Sequence, residues 1–282
     1  MRSQARLSVL KRTITWEIQG LPELSIKPLA ETDVPSKNRG MASVTKKQRE
    51  ILNRQQQILQ VARDLFRSVG YLGLNMDRIA SKMGVAKGTI YQHYKNKEEV
   101  ILALAVETLE KRIAMFERAV VFRGSPRERM AAVGSAAELF VMNFPDHFEL
   151  EKVLSCSTII EKTSPKLQIA KTGAEMKCIS LVAGIVRDAI ASGDLTLSEG
   201  MSPDQIVFGL WSVTYGGYSI MECDETLNQM GIGNGFQMVR DINNKLLDGF
   251  QWKPLSSEHD YDEVYERVRS EIFTDFAHIE TN

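Results

Sequence analysis

Residues 87–97, Lys-Gly-Thr-Ile-Tyr-Gln-His-Tyr-Lys-Asn-Lys, hold the side chains of this sequence that are best suited to molecular recognition. Because a helix turns by about 100° per residue, Ile90 and Tyr94 lie on one face and can anchor it to a core. Gly88 and Gln92 lie on the opposite face, among small and polar neighbours. Such a face presents directional donors and acceptors rather than bare charge, and this chemistry suits the edges of nucleic-acid bases.

Each of these residues also has an ordinary structural interpretation. Tyr91 could be a packing residue, His93 could pair with a neighbouring helix, and Gly88 could simply weaken its helix by about 1 kcal/mol relative to alanine. Lysines on a surface are usually solvated. The recognition hypothesis is favoured because the spacing, the polarity of the face and the local charge agree with one another. The lysines that bracket the segment and could reach phosphates are Lys87, Lys95 and Lys97.

Periodic apolar residues and capping signals predict the helices that would position this face. The pattern predicts a helix over residues 47–69, a short helix between Asn75 and Gly84, a helix over residues 86–94, and one from Asn96-x-x-Glu99 to about Val121. Asn75 can cap the second helix, and Gly70 and Gly84 are plausible stops. Two short helices joined by a glycine turn and preceded by a long one indicate a helix-turn-helix.

Later helices share a start signal, in which a capping serine precedes proline at the first helical position. These starts are Ser125-Pro126, Ser164-Pro165 and Ser202-Pro203, with capping boxes completed by Glu128 and Gln205. Further helices are predicted within residues 228–250 and over about 257–277. No segment shows strand alternation with hairpin turns. The predicted fold class is all-α, with an N-terminal three-helix helix-turn-helix domain followed by a larger helical domain.

The net charge of −1 conceals a division along the chain. Residues 43–97 carry 11 Lys and Arg against 3 Asp and Glu, whereas residues 98–282 carry 17 against 29. A compact basic segment beside an acidic remainder indicates a polyanionic partner for the first part only. Charge alone leaves DNA, RNA and a membrane surface open as that partner.

Residues 54–100 resemble the N-terminal domain of TetR-family regulators. The shared patterns are Ile58-Leu-x-Val-Ala-x-x-Leu-Phe66, Gly70-Tyr71, Ile79-Ala-x-x-Met-Gly-Val85 and Gly88-Thr-Ile-Tyr-x-His-Tyr-Lys-Asn-Lys97. The resemblance implies DNA contacts from Lys87, Gly88, Thr89, Tyr91, Gln92 and His93, with Lys97 on the phosphate backbone. It also implies a C-terminal domain that binds an effector and dimerises. The two-fold symmetry of a homodimer then predicts a palindromic double-stranded DNA operator.

The predicted domains are an extension at residues 1–43, a helix-turn-helix DNA-binding domain at 44–97, and a helical effector-binding and dimerisation domain at 98–282. The extension shows no sustained apolar period and contains three prolines, so we expect it to be disordered, with Met41 as a possible alternative start. It is longer than the lead-in that is usual in the family.

Residues 206–220 are apolar nearly all round, so this helix is expected to be buried on most sides, between its own core and a partner subunit. Gly209, Gly216 and Gly217 would permit either a close helix approach or a kink. Aromatic and sulfur side chains could line a pocket for a small, largely apolar effector, although most such side chains are simply core. The candidate ligand-binding residues are Phe140, Phe144, Cys156, Met176, Cys178, Trp211 and Tyr215.

Other chemistry is not apparent in the sequence. Cys156, Cys178 and Cys223 form no CxxC pair, which fits a reducing compartment and favours buried packing over a thiol sensor. The four histidines have no nucleophile or metal-ligand spacing around them. The sequence therefore predicts no enzyme, no cofactor, no metal site and no membrane span, and a cytoplasmic location.

Two functional hypotheses remain open. The first is a homodimeric repressor that a small-molecule effector releases from its operator. The alternative is a DNA-binding structural or protein-partnered factor on the same fold, without a small-molecule inducer. A closed apolar pocket in the C-terminal domain would favour the first hypothesis, and a filled core would favour the second.

Overall fold

The computed structural model describes residues 45–154, 157–221 and 224–276, and these residues form helices and no strand, which confirms the all-α fold class. The predicted extension at residues 1–43, Cys156 and Cys223 lie outside the described residues. The helices are α1 (Lys46–Gly73), α2 (Met76–Met83), α3 (Lys87–Tyr91), α4 (Lys97–Ala119), α5 (Pro126–Asn143), α6 (Pro145–Leu154), α7 (Ser157–Ile160), α8 (Pro165–Ser192), α9 (Pro203–Ile220), α10 (Asp224–Gln229), α11 (Gly235–Gly249) and α12 (Tyr261–Glu271), followed by a 3-10 turn at Thr274–Phe276. Within the described ranges, no helix is long and apolar enough to cross a membrane.

Local capping signals set the ends of α2 and the start of α4. Asn75 caps α2 by accepting a hydrogen bond from the Arg78 backbone N–H at 2.9 Å, and Asn96 caps α4 through the Glu99 N–H at 2.8 Å. Gly84 ends α2 with a φ of 65°, in the left-handed region that glycine adopts at little cost. The predictions for these three positions are confirmed, because each depends on groups only a few residues apart.

The serine–proline starts are also confirmed as helix starts. Ser125 and Ser202 each form a complete capping box at the beginning of α5 and α9. Ser164 begins α8, but its side chain makes no capping hydrogen bond. Its backbone N–H instead donates to Glu99 Oε1 at 3.2 Å, so α8 is tied to the first turn of α4.

Three helices begin or end at different residues from those that the sequence pattern predicts. Gly70 interrupts α1 with a φ of 65°, but one more turn follows it. Helix α3 ends at Tyr91 rather than Tyr94, and a turn continues from there. The last helix begins at Tyr261, because Asp260 accepts hydrogen bonds from two backbone N–H groups of the first turn, and it ends at Glu271. Asp at such a position is a strong N-cap and fixes the start locally.

Two hydrophobic cores meet in α4. The first core surrounds the helix-turn-helix, includes the fully buried Ile90, and extends to α6 and α7. The second core joins α4, α5, α8, α9, α11 and α12 around Phe140. Helix α4 supplies residues 100–105 to the first core, and Met115 and Phe116 to the second. The predicted domain boundary at residue 97 therefore falls at the start of a helix that both cores share, and the division into three parts stays a prediction.

Buried ion pairs hold α11 and α12 against α5. Glu138 is fully buried and accepts hydrogen bonds from Arg240 at 3.0 Å and from Arg269 at 2.6 Å. Arg127 is also fully buried and pairs with Asp248 at 2.6 Å. Burial raises the pKa of Glu138, and the two guanidinium groups oppose that rise. Since removal of one partner would leave a buried charge unpaired, these pairs fix the position of the C-terminal helices.

Helix α9 is only partly covered by its own chain. Leu210 is buried in the second core, whereas Phe208 and Trp211 are 64% and 53% exposed. At Gly217 the helix approaches α11 so closely that a Cβ would clash with the Val239 side chain, which supports the close-approach role for this glycine. A single chain thus buries one face of α9, and the predicted burial on most sides is not reached within it.

His147 lies at the contact between α4 and α6, where it is 6% exposed and its Nδ1 lies 2.6 Å from Thr108 Oγ1. Burial, reinforced by the positive charges of Arg63 and Lys111, lowers the pKa of His147 to about 4. The ring is therefore neutral at pH 7, and its hydrogen bond to Thr108 joins two helices without a buried charge.

We expect the free energy of unfolding to decrease as the pH is lowered from about 6.5 to 4, because the unfolded chain takes up the His147 proton first. The neutral His147 ring contributes about 3 kcal/mol to the free energy of unfolding, which is the size of its pKa shift expressed as energy. This contribution is fully present above pH 6.5 and is lost as the pH falls to the folded pKa of about 4. Urea unfolding at several pH values should show that His147→Gln removes this pH dependence, whereas His259→Gln at a more exposed position keeps it. Identical pH profiles for His147→Gln and the wild type would contradict this assignment.

Candidate nucleic-acid interface

The face of α3 that points away from the core is open. Ile90 is fully buried and Tyr94 is 6% exposed, whereas Gly88 and Gln92 are exposed. The Gln92 N–H donates to the Gly88 carbonyl at 3.1 Å, so the two residues lie one turn apart on the same side. A Cβ added to Gly88 would meet no atom within 4 Å. The backbone at this glycine can therefore approach a groove closely.

Lys87 and Tyr91 lie beside this open face. The Lys87 ammonium pairs with Asp77 of α2 at 2.7 Å and lies 5.7 Å from the centre of the Tyr91 ring. The hydrogen bond to Asp77 raises the pKa of Lys87. Both side chains stay exposed, and an exposed ion pair of this kind contributes little to stability. Lys87 can therefore exchange Asp77 for a phosphate at small cost.

Thr89 and His93 are half-buried at the edges of the face. Partial burial lowers the pKa of His93, and the positive charge of Arg54 on α1 lowers it further. A neutral imidazole has one donor and one acceptor nitrogen, which suits it to directional hydrogen bonds. The charge of Arg54 therefore acts on His93, close to the end of α3. Arg54 belongs to none of the motifs of the recognition segment.

Lys97, at the start of α4, is turned toward α1. Its ammonium lies 4.2 Å from the centre of the Tyr71 ring and 3.4 Å from the Tyr71 carbonyl oxygen. The same first turn carries Glu98 and Glu99, which are buried residues with at most 8% of their surface exposed. A phosphate would have to draw Lys97 away from Tyr71, whereas the neighbouring Lys95 is exposed.

The candidate ligand-binding residues do not form one site. Phe140 is fully buried in the second core, with the Phe144 ring centroid 5.5 Å from its own and Cys178 packed against the same core. Tyr215 instead belongs to a smaller cluster, where its ring centroid lies 5.6 Å from that of Phe148.

Two of the candidates lie on the surface. Met176 and Trp211 are 56% and 53% exposed, so they do not line an interior pocket of the single chain, and their contact with a ligand stays a prediction. Helices α8 and α9 carry apolar residues on outer faces as well as inner ones, which the residue types alone do not distinguish. Burial raises the pKa of the Cys178 thiol to about 11, which disfavours the reactive thiolate and supports its role in packing.

Arg112 connects several helices in the C-terminal part of the chain. From α4, its guanidinium lies 4.5 Å from the centre of the Phe140 ring on α5 and pairs with Glu151 of α6 at 2.7 Å. Cys178 of α8 packs against the same core as Phe140, and the charges of Arg112 and Glu151 act on its thiol. The sequence pattern does not reveal this arrangement, because its members are distant in sequence and belong to no motif.

A polar groove runs beside α11 and α12. Its lining includes Asp241, Lys245, Ser256, His259 and Asp262. Charged and hydroxyl groups of this kind do not make the closed apolar pocket that the effector hypothesis requires. This groove therefore does not supply the site that the effector hypothesis requires.

Known proteins resemble this chain in both sequence and fold. Residues 58–104 match the model of the family described as bacterial regulatory proteins, tetR family. The fatty acid metabolism regulator protein of Bacillus subtilis is 27% identical over 161 residues, which cover 54% of this chain and 77% of that protein.

Solved structures extend the likeness over most of the folded chain. The TetR family transcriptional regulator PfmR from Thermus thermophilus has a TM-score of 0.52 and 18% identity, covering 68% of this chain and 97% of that one. The transcriptional regulator FadR from Bacillus subtilis in complex with stearoyl-CoA has a TM-score of 0.50 and 18% identity, covering 71% and 98%. At this identity the structures establish the fold, and the helix-turn-helix carries the family's own sequence pattern. Residues 58–104 of this chain therefore carry the sequence pattern of the tetR family of bacterial regulatory proteins, and the described residues share the fold of TetR-family regulators.

Proposed function

We propose that this DNA-binding transcriptional regulator acts as a homodimer whose two α3 helices read the major groove of a palindromic operator. The observation that carries the proposal is the open face of α3, where Gly88 and Gln92 are exposed opposite the buried Ile90. A glutamine side chain can form two hydrogen bonds with adenine in the major groove. The lysines at either end of the segment supply phosphate contacts, which position the helix without adding base preference.

Homodimerisation is proposed through the large apolar side chains that α9 and α11 expose, here called the α9–α11 patch, which are Phe208, Trp211, Ile220, Met238 and Ile242. These side chains are 37% to 64% exposed in the single chain. A patch of large apolar side chains is unfavourable in water and is typical of an interface. Two-fold symmetry would then place the operator half-sites about one helical turn, or a multiple of it, apart.

The proposed effector is a small, largely apolar molecule that binds where α4, α5, α6 and α8 meet. Phe140, Phe144 and Cys178 would contact its apolar part, and the Arg112–Glu151 pair lies beside them. Relatives include a fatty acid metabolism regulator and a FadR structure with stearoyl-CoA, so fatty acids and acyl-CoA compounds are the first to test. Because Phe140 is fully buried, these side chains would have to separate to admit an acyl chain.

In the proposed repressor mechanism, effector binding would change the position of α1 through α6 and α4. Arg67 of α1 forms an ion pair with Asp146 of α6, and Arg63 of α1 pairs with Glu107 of α4 at 2.5 Å. A shift of α6 that accompanies opening of the second core would therefore act on the helix that supports the reading head. Effector and DNA would then favour different arrangements of the same helices.

The alternative is a DNA-binding factor of the same fold without an inducer. The close contact of Phe140 with Phe144 and His147 favours it, because the second core is filled at that point. Selection of bound sequences from random DNA, followed by addition of fatty acids and acyl-CoA compounds, separates the possibilities. We expect a palindromic sequence that these compounds release. A palindrome that none of them releases supports the alternative, and the absence of any selected sequence contradicts sequence-specific binding.

Gln92→Ala should relax base preference at one position in each half-site, at a cost of about 1–3 kcal/mol on the preferred sequence.

Lys95→Ala should weaken binding to all sequences alike and lower the salt slope by about one unit for each phosphate that the variant no longer neutralises. Lys95 is a cleaner comparison than Lys97, whose removal would also abolish contacts with Tyr71. Anisotropy titrations on the selected and a scrambled duplex at several salt concentrations measure both effects. Equal weakening on the two duplexes by Gln92→Ala would exclude α3 as the reading helix.

Gly88→Ala should preserve or raise the melting temperature and weaken DNA binding. The added Cβ has no atom within 4 Å, and alanine favours a helix by up to about 1 kcal/mol over glycine. The same methyl group would keep the α3 backbone away from the groove. Gly173→Ala in α8 is the matched control, since its Cβ also has no neighbour within 4 Å, and it should leave DNA affinity unchanged. Wild-type affinity of Gly88→Ala would show that DNA does not approach this glycine.

Trp211→Glu should convert the dimer to monomer in light-scattering measurements at micromolar concentration. Each subunit loses an aromatic side chain whose burial in the dimer is worth about 3 kcal/mol, so the dimer loses about 6 kcal/mol and the dissociation constant rises about ten-thousandfold. Val121→Glu is the control, because Val121 is 72% exposed and lies outside the α9–α11 patch. A dimer of Trp211→Glu would place the interface elsewhere, and a monomeric wild type would contradict homodimerisation.

A further inference from the structure

The first two turns of α1, Lys46–Asn53, project from the folded body. All residues of this segment are exposed, and the first fully buried residue of α1 is Ile58. Even the apolar side chains of Ile51 and Leu52 are 42% and 52% exposed. The segment therefore contributes almost no burial to the fold, although a helix of two turns is unstable in isolation. Its continuity with the rest of α1 maintains it.

This projecting segment is basic. It carries Lys46, Lys47 and Arg49 against one acidic residue, Glu50, and Arg54 follows at the point where α1 reaches the folded body. The chain from residue 98 onward has the opposite balance, with 17 Lys and Arg against 29 Asp and Glu. Positive charge is thus concentrated at the end of the molecule that holds α3, as a polyanionic partner requires.

Arg54 connects the segment to the reading head. Its charge reaches His93, at the end of the turn that follows α3. Lys47 precedes Arg54 by seven residues, which places it about 20° away around the helix and about 10 Å away along the axis. Lys47 therefore continues, beyond the folded body, the row that Arg54 begins beside His93. By the same rotation Arg49 lies about 140° from Arg54 and about 160° from Lys47, on the far side of α1.

We infer that the row formed by Lys47 and Arg54 binds the sugar–phosphate backbone of the DNA that flanks each half-site. The inference rests on the proposed reading of DNA by α3 and extends the contact along the duplex by about three base pairs, since base pairs are about 3.4 Å apart. Phosphate contacts add affinity without base preference. The row would lengthen the footprint of the protein and leave the recognised sequence unchanged.

The test compares Lys47→Gln with Arg49→Gln in the full chain, on two duplexes that contain the selected sequence. One duplex ends at the outermost recognised base pair, and the other carries five more base pairs on each side. Lys47→Gln should lower affinity for the longer duplex about eightfold at 0.1 M salt for each phosphate that it leaves unneutralised, which follows from a salt slope of about 0.9 per phosphate. Its affinity for the short duplex should not change. Arg49→Gln removes the same charge from the far side and should bind both duplexes like the wild type.

Equal losses of affinity from Lys47→Gln and Arg49→Gln would overturn the inference, because diffuse charge rather than one face of α1 would then be responsible. An unchanged salt slope for Lys47→Gln on the longer duplex would overturn it as well. Both substitutions lie at exposed positions, and melting temperatures confirm that the variants are folded. A wild type that selects no DNA sequence contradicts the proposed function itself, whereas normal selection with no difference between the variants contradicts only the role of this row.

Discussion

Helix α4 is the constraint on which the rest of the structure depends. Residues 100–105 are buried on every side, so this part of the helix has no solvent-facing surface along which to move. The same helix packs beside Ile90 in the first core and carries Met115 and Phe116 into the second. Because protein interiors are close-packed, one core cannot absorb a displacement of α4 alone. The position of α3 relative to the C-terminal helices is therefore set by a single continuous element.

Polar contacts around α4 determine which other helices must move with it. Arg63 joins α1 to Glu107 of α4, and Arg67 joins α1 to Asp146 of α6. His147, next to Asp146 on α6, forms a buried hydrogen bond with Thr108 of α4. The three contacts connect α1, α4 and α6 in a circuit, in which the buried His147–Thr108 hydrogen bond and the Arg63–Glu107 pair are the stronger links because Arg67 is exposed. In the proposed mechanism this circuit is the physical link between the aromatic residues of the second core and the helix that supports α3.

What the sequence predicts correctly depends on groups that are close along the chain. The caps at Asn75 and Ser125 need only a few residues, and the open face of α3 follows from helical rotation once Ile90 is taken as buried. What the sequence does not reveal are contacts between distant segments. Trp211 has the residue type of a pocket lining, but its position on α9 turns it outward. Lys97 matches a family position for phosphate contact, yet Tyr71 of α1 holds its ammonium in the single chain.

The rigidity of α4 bears on how a small change in the second core would affect DNA binding. With 23 residues, α4 is about 35 Å long, so a tilt of about 5° displaces one end by about 3 Å relative to the other. This displacement is close to the spacing of one base pair, about 3.4 Å. In the proposed dimer, the α9–α11 patch would hold the two C-terminal parts together, and Gly217 allows these two helices to pack closely. Each reading head would therefore move relative to a fixed partner, and a tilt of this size, taken up by both cores together, would suffice to put two half-sites out of register.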